Sequence, residues 1–236
     1  MQRSISRVVF ASSTAIALAA ASASAQYINP TPYVGFNASS PFASLSFNSF
    51  FLENFEDGQF NTPFATPSPG WGVPGVSILD SVDEDDGSIN GTGATGRSYY
   101  SNGTQNSLTI TFSTINGSLP THAGIVWTDV GQIAGAGGIA VGPVLFEAFG
   151  PGNVSLGVIG PFNLGDGFIS GETAEDRFFG IVNLGGISAI RITMPTSTDW
   201  EIDHVQYGVI PAPGAATALG LLALGAASRR RRTTAR

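Results

Sequence analysis

The sequence has no cysteine and no lysine, and it has only two histidines among its 236 residues. Without thiols, disulfides and thiolate metal sites are excluded, so packing or bound ions must stabilise the fold. Two histidines without cysteine also argue against a catalytic zinc site. A G-x-S-x-G motif is absent as well, so a Ser–His–Asp hydrolase lacks its common signature, although a triad on another pattern stays open.

Positive charge is nearly confined to the two ends of the chain. Of ten arginines, two lie in the first seven residues and five lie in the last eight. The central part keeps Arg97, Arg177 and Arg191 against all seventeen acidic residues, a net charge of −14. Such a surface repels nucleic acid and anionic lipid and attracts divalent cations. We therefore exclude nucleic acid as a partner.

The N-terminus has the pattern of an export signal. Arg3 and Arg7 precede the apolar stretch Val8–Ala20, and Ala23-Ser24-Ala25 forms an A-x-A cleavage site. We expect residues 1–25 to be a signal helix that is removed on export, the alternative being an uncleaved anchor. Residues 26–40 are rich in Asn, Pro and Ser, and this composition predicts a flexible leader.

The C-terminal segment, residues 209–236, predicts a short membrane-spanning helix. Gly214–Ser228 is uncharged and would measure roughly 22 Å as a helix, against about 30 Å for a hydrocarbon core. An arginine block comes directly after it, as is typical of a cytoplasmic flank: Arg229, Arg230, Arg231 and Arg232. The alternative is a disordered apolar tail.

Together with Pro211, Ala212 and Pro213, this segment resembles the PEP-CTERM sorting domain of exported bacterial proteins. That resemblance implies passage through the export machinery, anchoring in the inner membrane, and recognition by an exosortase-type processing enzyme. The processed protein would lie in the cell envelope or outside the cell. Ala212 replaces the usual glutamate, which leaves open which enzyme reads the motif.

The central part, residues 41–208, predicts an all-β domain. The chain contains 31 glycines and 14 prolines, more than the usual ~12%. Short alternating runs such as Leu108–Phe112 predict eight to ten strands, and Gly150–Asn153 predicts a hairpin turn between two of them. Many short strands without an internal repeat favour a single antiparallel β-sandwich, most simply a jelly roll.

This domain also resembles exported bacterial proteins of undefined activity that carry the same tail. The resemblance implies a jelly-roll sandwich like those of lectins and carbohydrate-binding modules. Its matching stretches are Phe55–Gly58, Ala123–Asp129, Phe146–Gly157, Thr173–Gly180, Gly186–Ile192 and Ile202–Gly208.

Two acidic groups are candidates for a structural Ca²⁺. The first is Asp80, Asp83 and Asp85, in a glycine-ended loop whose spacing is not that of an EF-hand; the alternative is a solvated acidic loop. The second joins Glu56 and Asp57 to Asp203. Only the resemblance to jelly-roll modules suggests that these three lie close. The alternative is that Asp57 lies in a simple turn and that Asp203 is a cap or a salt-bridge partner.

The sequence offers weaker signals for a ligand or for catalysis. Trp71, between prolines and glycines, is a candidate surface platform for a sugar ring. The stretch Trp200–Gln206 is superficially similar to a Glu-x-Asp-x-x-Glu glycosidase motif, but Gln206 replaces the acid/base carboxyl. We therefore expect a non-catalytic binding or structural protein associated with polysaccharide. The alternative is a hydrolase or lyase that acts on glycans through an unidentified site.

Overall fold

The protein is built from two antiparallel β-sheets that pack face to face. A computed structural model describes residues 24–69, 72–76, 81–93, 95–128, 142–164 and 175–210. This arrangement confirms the expectation of an all-β sandwich. In that part of the chain, every helix is too short or too polar to cross a bilayer. The expected signal helix and the segment 211–236 lie outside the described residues.

Twelve strands of the described residues form the two sheets. The seven-stranded sheet, called sheet A, contains β1 (Gln26–Pro32), β2 (Ser49–Glu53), β4 (Gly72–Val76), β5 (Arg97–Ser101), β7 (His122–Trp127), β10 (Arg177–Val182) and β12 (Glu201–Val209). The five-stranded sheet, called sheet B, contains β3 (Ala65–Pro67), β6 (Ser107–Phe112), β8 (Pro143–Gly150), β9 (Val154–Asn163) and β11 (Ala189–Thr193). A short helix, α1 (Phe36–Ser39), lies between β1 and β2.

The last strand, β12, holds a central position in sheet A. Along one edge it pairs with β7, and along the other it pairs first with β5 and then with β2. Sheet A runs β1-β10-β7-β12-β5-β4, and sheet B runs β3-β6-β11-β8-β9. Strands distant in sequence are therefore neighbours in both sheets.

The predicted strands are largely found where the alternation places them. The run Leu108–Phe112 lies in β6, whose residues alternate between buried and more exposed positions. The predicted hairpin joins β8 to β9 through a 3₁₀ turn at Pro151–Asn153, where Gly152 has φ +72°. Glycine adopts this left-handed conformation without the strain of a side chain.

The core between the sheets is apolar. Sheet B contributes Ile110, Phe146 and Ile190, while sheet A contributes Trp127 and Phe179, and all five are at most 1% exposed. Burying apolar side chains of this size stabilises a fold by about 1.5–3 kcal/mol each. Trp127 therefore lies in the core and is closed to solvent.

A second layer covers the outer face of sheet A. We call residues 33–47 and 81–86 the cover. Tyr33, Phe42 and Val82 from the cover pack with Val126 and Phe178, which point outward from the sheet. This layer explains why every residue of β7 is buried, whereas a sheet with one solvated face would alternate.

The cover corrects the expectation of a flexible leader for residues 26–40. Gln26–Pro32 pairs with β10 as an edge strand, and Tyr33 is fully buried. The tyrosine hydroxyl of Tyr27 donates to the carbonyl of Gly157 and accepts from the amide of Ala148 at 3.1 Å, which ties sheet A to sheet B. Composition predicted disorder because Asn, Pro and Ser are common in loops, but two tyrosines and Phe36 supply anchors.

Candidate functional site

A β-bulge in β12 brings two polar side chains to the outer face of sheet A. The register against β7 shifts between Asp203 and Gln206, so one extra residue is inserted in β12. His204 lies in the bulge with φ +39°, a conformation uncommon for residues other than glycine. As a result, Asp203 and His204 both contact the cover, while Ile202 and Val205 enter the core.

A chain of hydrogen bonds connects β12 to both segments of the cover. The Ser40 hydroxyl donates to Oε1 of Gln206 at 2.5 Å, and Nε2 of Gln206 donates to the Tyr33 hydroxyl at 2.9 Å. Nδ1 of His204 lies 2.7 Å from that hydroxyl, and its Nε2 lies 2.9 Å from Oδ2 of Asp85. The network is shielded from solvent, because the side chains of His204 and Asp85 are only 2% and 11% exposed.

When His204 is neutral, each group of this network donates a hydrogen bond to the next, from Gln206 through Tyr33 and His204 to Asp85. Because Gln206 donates to the Tyr33 oxygen, the Tyr33 proton is directed to Nδ1 of His204. Nε2 of the imidazole then carries the hydrogen and donates to the Asp85 carboxylate. Each buried polar group has a partner in this arrangement, which is what makes a buried polar network stabilising.

Asp203 is hydrogen-bonded to the second segment of the cover, residues 81–86. Its side chain accepts hydrogen bonds from the Ser81 hydroxyl and the Val82 amide, each at 3.1 Å, and from the His204 amide at 2.7 Å. Burial raises the pKa of Asp203 to about 7. Burial opposes the charged form of His204, but the carboxylates of Asp203 and Asp85 outweigh it and raise the pKa of the imidazole.

Glu84 and Tyr33 complete the electrostatic surroundings. Oε2 of Glu84 accepts from the amide of Phe36 at 2.6 Å, at the first residue of α1. A Cβ at Gly35 would lie 2.5 Å from that oxygen, so only glycine permits this contact. Burial, together with the nearby Asp203 and Glu84, raises the pKa of the Tyr33 phenol. The hydroxyl therefore stays protonated and acts as a hydrogen-bond donor.

The structure merges parts of the two predicted calcium groups. Asp85 from the first and Asp203 from the second lie with His204 so that one ligand atom from each is within 4.8 Å of the others. The spacing of acidic residues in the sequence predicts neither that Asp85 and Asp203 lie close together nor that His204 lies beside them. The cover, which folds back over β12, creates both.

The other predicted metal ligands of the described residues accept hydrogen bonds from protein groups. Asp83 accepts from the Gly91 amide at 3.0 and 3.2 Å, and Asp57 accepts from Gln59 and Asn61 within its own turn. Oε1 of Glu56 accepts from the amide of Arg97 at 2.6 Å, and burial raises the pKa of Glu56. The remaining two candidates, Asp80 and the platform residue Trp71, lie outside the described residues.

The donor set at Asp85, Asp203 and His204 suits Ca²⁺ poorly. Calcium takes six to eight oxygen ligands, whereas one of these three groups is an imidazole. Nε2 of the neutral imidazole carries its hydrogen toward Asp85, so it has no lone pair for a metal in this arrangement. The cluster is best described as a hydrogen-bonded clasp between β12 and the cover.

The glycosidase-like stretch does not form an open carboxylate pair. Glu201 is 3% exposed and accepts from the Ser98 hydroxyl, and Asp203 is completely buried. A retaining glycosidase needs two carboxyl groups about 5–5.5 Å apart on either side of the bound sugar. Glu201 and Asp203 are closed to a sugar chain in this fold.

Two open clefts in the described part of the chain are lined by uncharged residues. We call the larger one the end cleft; its volume is ≈ 570 Å³, and the start of β2, the loops 114–121 and 184–186, and the end of β12 form it. The smaller one, of ≈ 470 Å³, is lined by residues 104–106 and 195–198. Hydroxyl and amide side chains supply the polar groups in each.

No family model, no curated protein and no solved structure matches this chain. The geometry of the clasp and of the clefts is therefore the basis for assigning a function.

Proposed function

We propose that the protein is an exported, non-catalytic β-sandwich of the cell envelope or extracellular matrix, which serves as a binding or structural component associated with polysaccharide. One observation carries the proposal. Asp85, Asp203 and His204 contact one another in a clasp that is shielded from solvent, while the open clefts present uncharged hydroxyl and amide groups. Such groups match the hydroxyls of a glycan and lack a general acid or base.

The strand order supports a jelly-roll scaffold for this function. Within sheet A, β2, β12, β7 and β10 are consecutive neighbours, and they face β6, β11, β8 and β9 in sheet B. Eight antiparallel strands in two such sheets make the double Greek key of a jelly roll. The scaffold alone does not define an activity, since many functions share one fold.

The proposed route to the outside rests on the two ends of the sequence. Residues 1–25 act as a cleavable signal, and residues 211–236 act as a PEP-CTERM-like sorting segment read by an exosortase-type enzyme. The segment begins later than the predicted residue 209, because Val209 is the last residue of β12. The motif Pro211-Ala212-Pro213 and the block Arg229–Arg232 are the proposed recognition features. The protein is held in the inner membrane before processing.

Fractionation of expressing cells, with mass spectrometry of the protein in each fraction, tests the route. We expect a mature N-terminus near Gln26 and, in the envelope or the medium, a chain that lacks Arg229–Arg232. A cytoplasmic protein with an intact C-terminus would refute the proposed delivery.

The proposed activity needs a separate assay. The full-length protein is incubated with neutral polysaccharides, and both retention on the polymer and release of reducing or unsaturated ends are measured. We expect retention without release. Release of sugar ends at an enzymatic rate would instead assign a hydrolase or lyase.

A further inference from the structure

We infer that one end of the sandwich, called the exit end, lies against the anionic phospholipid surface of the membrane while the chain is anchored. This inference rests on the proposed anchoring by residues 211–236 and adds which surface of the domain meets the lipid. The exit end contains the end cleft and consists of residues 24–26, 48–49, 63–64, 113–121, 150–154, 183–188 and 209–210.

Both termini of the domain leave the sandwich at the exit end. In sheet A, Gln26 pairs with Val182, and Val182 pairs with His122. His122 in turn pairs with Gly208, so the start of β1 and the end of β12 lie in one row across the sheet. The loops that join the two sheets, before β7 and after β10, lie at this end as well.

The link between the folded domain and the proposed membrane segment is short. Val209 ends β12, and the amide of Ile210 donates to the Thr121 hydroxyl at 2.9 Å. Residues 211–213 alone separate Ile210 from Gly214, where the uncharged segment begins.

This length keeps the exit end close to the lipid. The link reaches at most about 14 Å when it is fully extended, at ~3.5 Å per residue. A headgroup layer is roughly 5 Å thick or more on each side of the hydrocarbon core, so less than about 10 Å remains between the domain and the headgroups. That gap is no larger than the Debye length at physiological salt, and a charge on the exit end would therefore interact with the lipid charge.

The exit end is free of charged side chains, although the domain has a net charge of −14. None of its ranges contains an aspartate, glutamate, lysine or arginine. The three acidic residues in the strands of sheet A lie further from it. Glu201 and Asp203 belong to the first three residues of β12, and Glu53 pairs with Val205 at the middle of that strand. Because anionic lipid repels acidic groups, the charge-free end is the one that a bilayer surface tolerates best.

The exit end also exposes apolar side chains. Val154, at 64%, is the most exposed large apolar side chain among the described residues, and Leu184 is 37% exposed in the end cleft. Asn116 and Ser118 line the same cleft and offer amide and hydroxyl groups. The membrane interface accepts apolar area and hydrogen-bonding groups together, so this mixed surface suits it.

The smaller cleft shows that an uncharged lining alone does not identify the lipid-facing end. Its residues 104–106 precede β6, and its residues 195–198 follow β11, so it lies at the opposite end of these strands from the exit end. The nine residues of β12 place the two ends roughly 30 Å apart, at ~3.3 Å per residue. Neither terminus of the described domain leaves from that end.

Fluorescence quenching by labelled lipid tests the inference, and the absence of cysteine makes a single label unambiguous. Residues 26–236, the chain that keeps its C-terminal segment after signal cleavage, are reconstituted into vesicles of phosphatidylcholine and phosphatidylglycerol. An environment-sensitive dye is attached at an exposed position of either end, through Ser118→Cys or Thr196→Cys. We expect a nitroxide on the lipid headgroup to remove most of the fluorescence of Ser118→Cys and little of that of Thr196→Cys.

Added charge should move the exit end away from anionic lipid. Val154→Glu combined with Leu184→Glu, in the Ser118→Cys protein, should reduce quenching in vesicles that contain phosphatidylglycerol and restore it in phosphatidylcholine alone. Ile89→Glu changes an exposed apolar side chain outside the exit end, so it should leave the quenching unchanged. Circular dichroism of each variant confirms that the sandwich is intact.

Flotation of the vesicles separates this inference from the proposed anchoring. Protein that floats with the vesicles but is quenched equally at both labels, or more strongly at Thr196→Cys, would overturn the exit end as the lipid-facing surface and leave the anchoring in place. Quenching at Ser118→Cys that the two added glutamates do not change would do the same. Protein that does not float would overturn the proposed anchoring by residues 211–236, and this inference with it.

Discussion

The two faces of β12 are both buried, but different kinds of side chain bury them. On the inner face, Ile202, Val205 and Tyr207 enter the apolar core between the sheets. On the outer face, Asp203, His204 and Gln206 bond to the cover through hydrogen bonds of defined direction. The bulge at His204 is what allows one strand to serve both environments.

This difference has a consequence for how each face tolerates change. Apolar contacts depend on volume, so their loss is graded with the number of methyl groups removed. A buried polar network depends on complete pairing, so the loss of a single atom leaves other groups without partners. The inner face should respond to size, and the outer face should respond to chemistry.

The largest effect is expected on the inner face. Ile202→Ala should lower the free energy of unfolding by about 2–5 kcal/mol, because it leaves a cavity between the sheets. Ile202→Val should cost only about 0.5–1.5 kcal/mol. Urea unfolding measures both, and similar losses for the two variants would contradict the graded response.

A matched pair of tyrosines sharpens the comparison. Tyr33→Phe removes a hydroxyl that partners both His204 and Gln206, so it should cost about 1–3 kcal/mol. Tyr207→Phe removes a hydroxyl that donates only to the Pro63 carbonyl at 2.5 Å, so it should cost about 0.5–1.5 kcal/mol. Equal losses, or a larger one for Tyr207→Phe, would show that the outer network is not specially sensitive.

The outer face should also carry a pH dependence that the inner face lacks. The pKa of Asp203 is raised to about 7 in the folded state, against about 3.9 in an unfolded chain, and the pKa of His204 is raised as well. Their contribution is therefore full at about pH 4 and is lost as the pH rises through 7.

Urea unfolding between pH 4 and 8 checks this sign. Relative to the Asp203→Asn variant, the wild type should lose stability as the pH rises. Asp57→Asn, which alters an exposed carboxyl, should leave the wild-type slope unchanged. A wild-type slope identical to that of Asp203→Asn would remove the clasp as its cause.

Calcium is expected to have the smallest effect. Ca²⁺ in place of EDTA should raise the melting temperature by no more than ~3 °C, because the described candidates Asp203, Asp83 and Glu56 already accept hydrogen bonds. Differential scanning calorimetry of the full-length protein measures the shift. No shift would remove both calcium hypotheses.

The strands that form the apolar core were predictable from the sequence, and the hydrogen-bonded layer outside sheet A was not. Alternation in Leu108–Phe112 and the glycine turn at 150–153 are local signals, so β6 and the β8–β9 hairpin follow from them. The clasp joins Tyr33, Asp85 and His204 across more than a hundred residues. Local patterns do not report such contacts.

The clearest local hint of the outer layer is the run Ala123–Trp127, which contains no polar residue to place on a solvated face. A strand that is apolar on both sides needs a cover on each face, but that pattern does not identify the segment that provides it. The Asn- and Pro-rich stretch 26–40 gave the opposite signal. Its tyrosines decided the outcome, because Tyr27 bonds to sheet B and Tyr33 packs on the outer face of sheet A.

The central claim is that the His204 clasp holds the cover on sheet A. Hydrogen–deuterium exchange of the wild type and of His204→Ala tests it most directly, since local opening lowers protection only in the segments that open. We predict faster exchange in residues 33–47 and 81–86 together, with β6, β8 and β11 unchanged. Unchanged exchange in the cover, or loss of protection throughout both sheets, would contradict this claim.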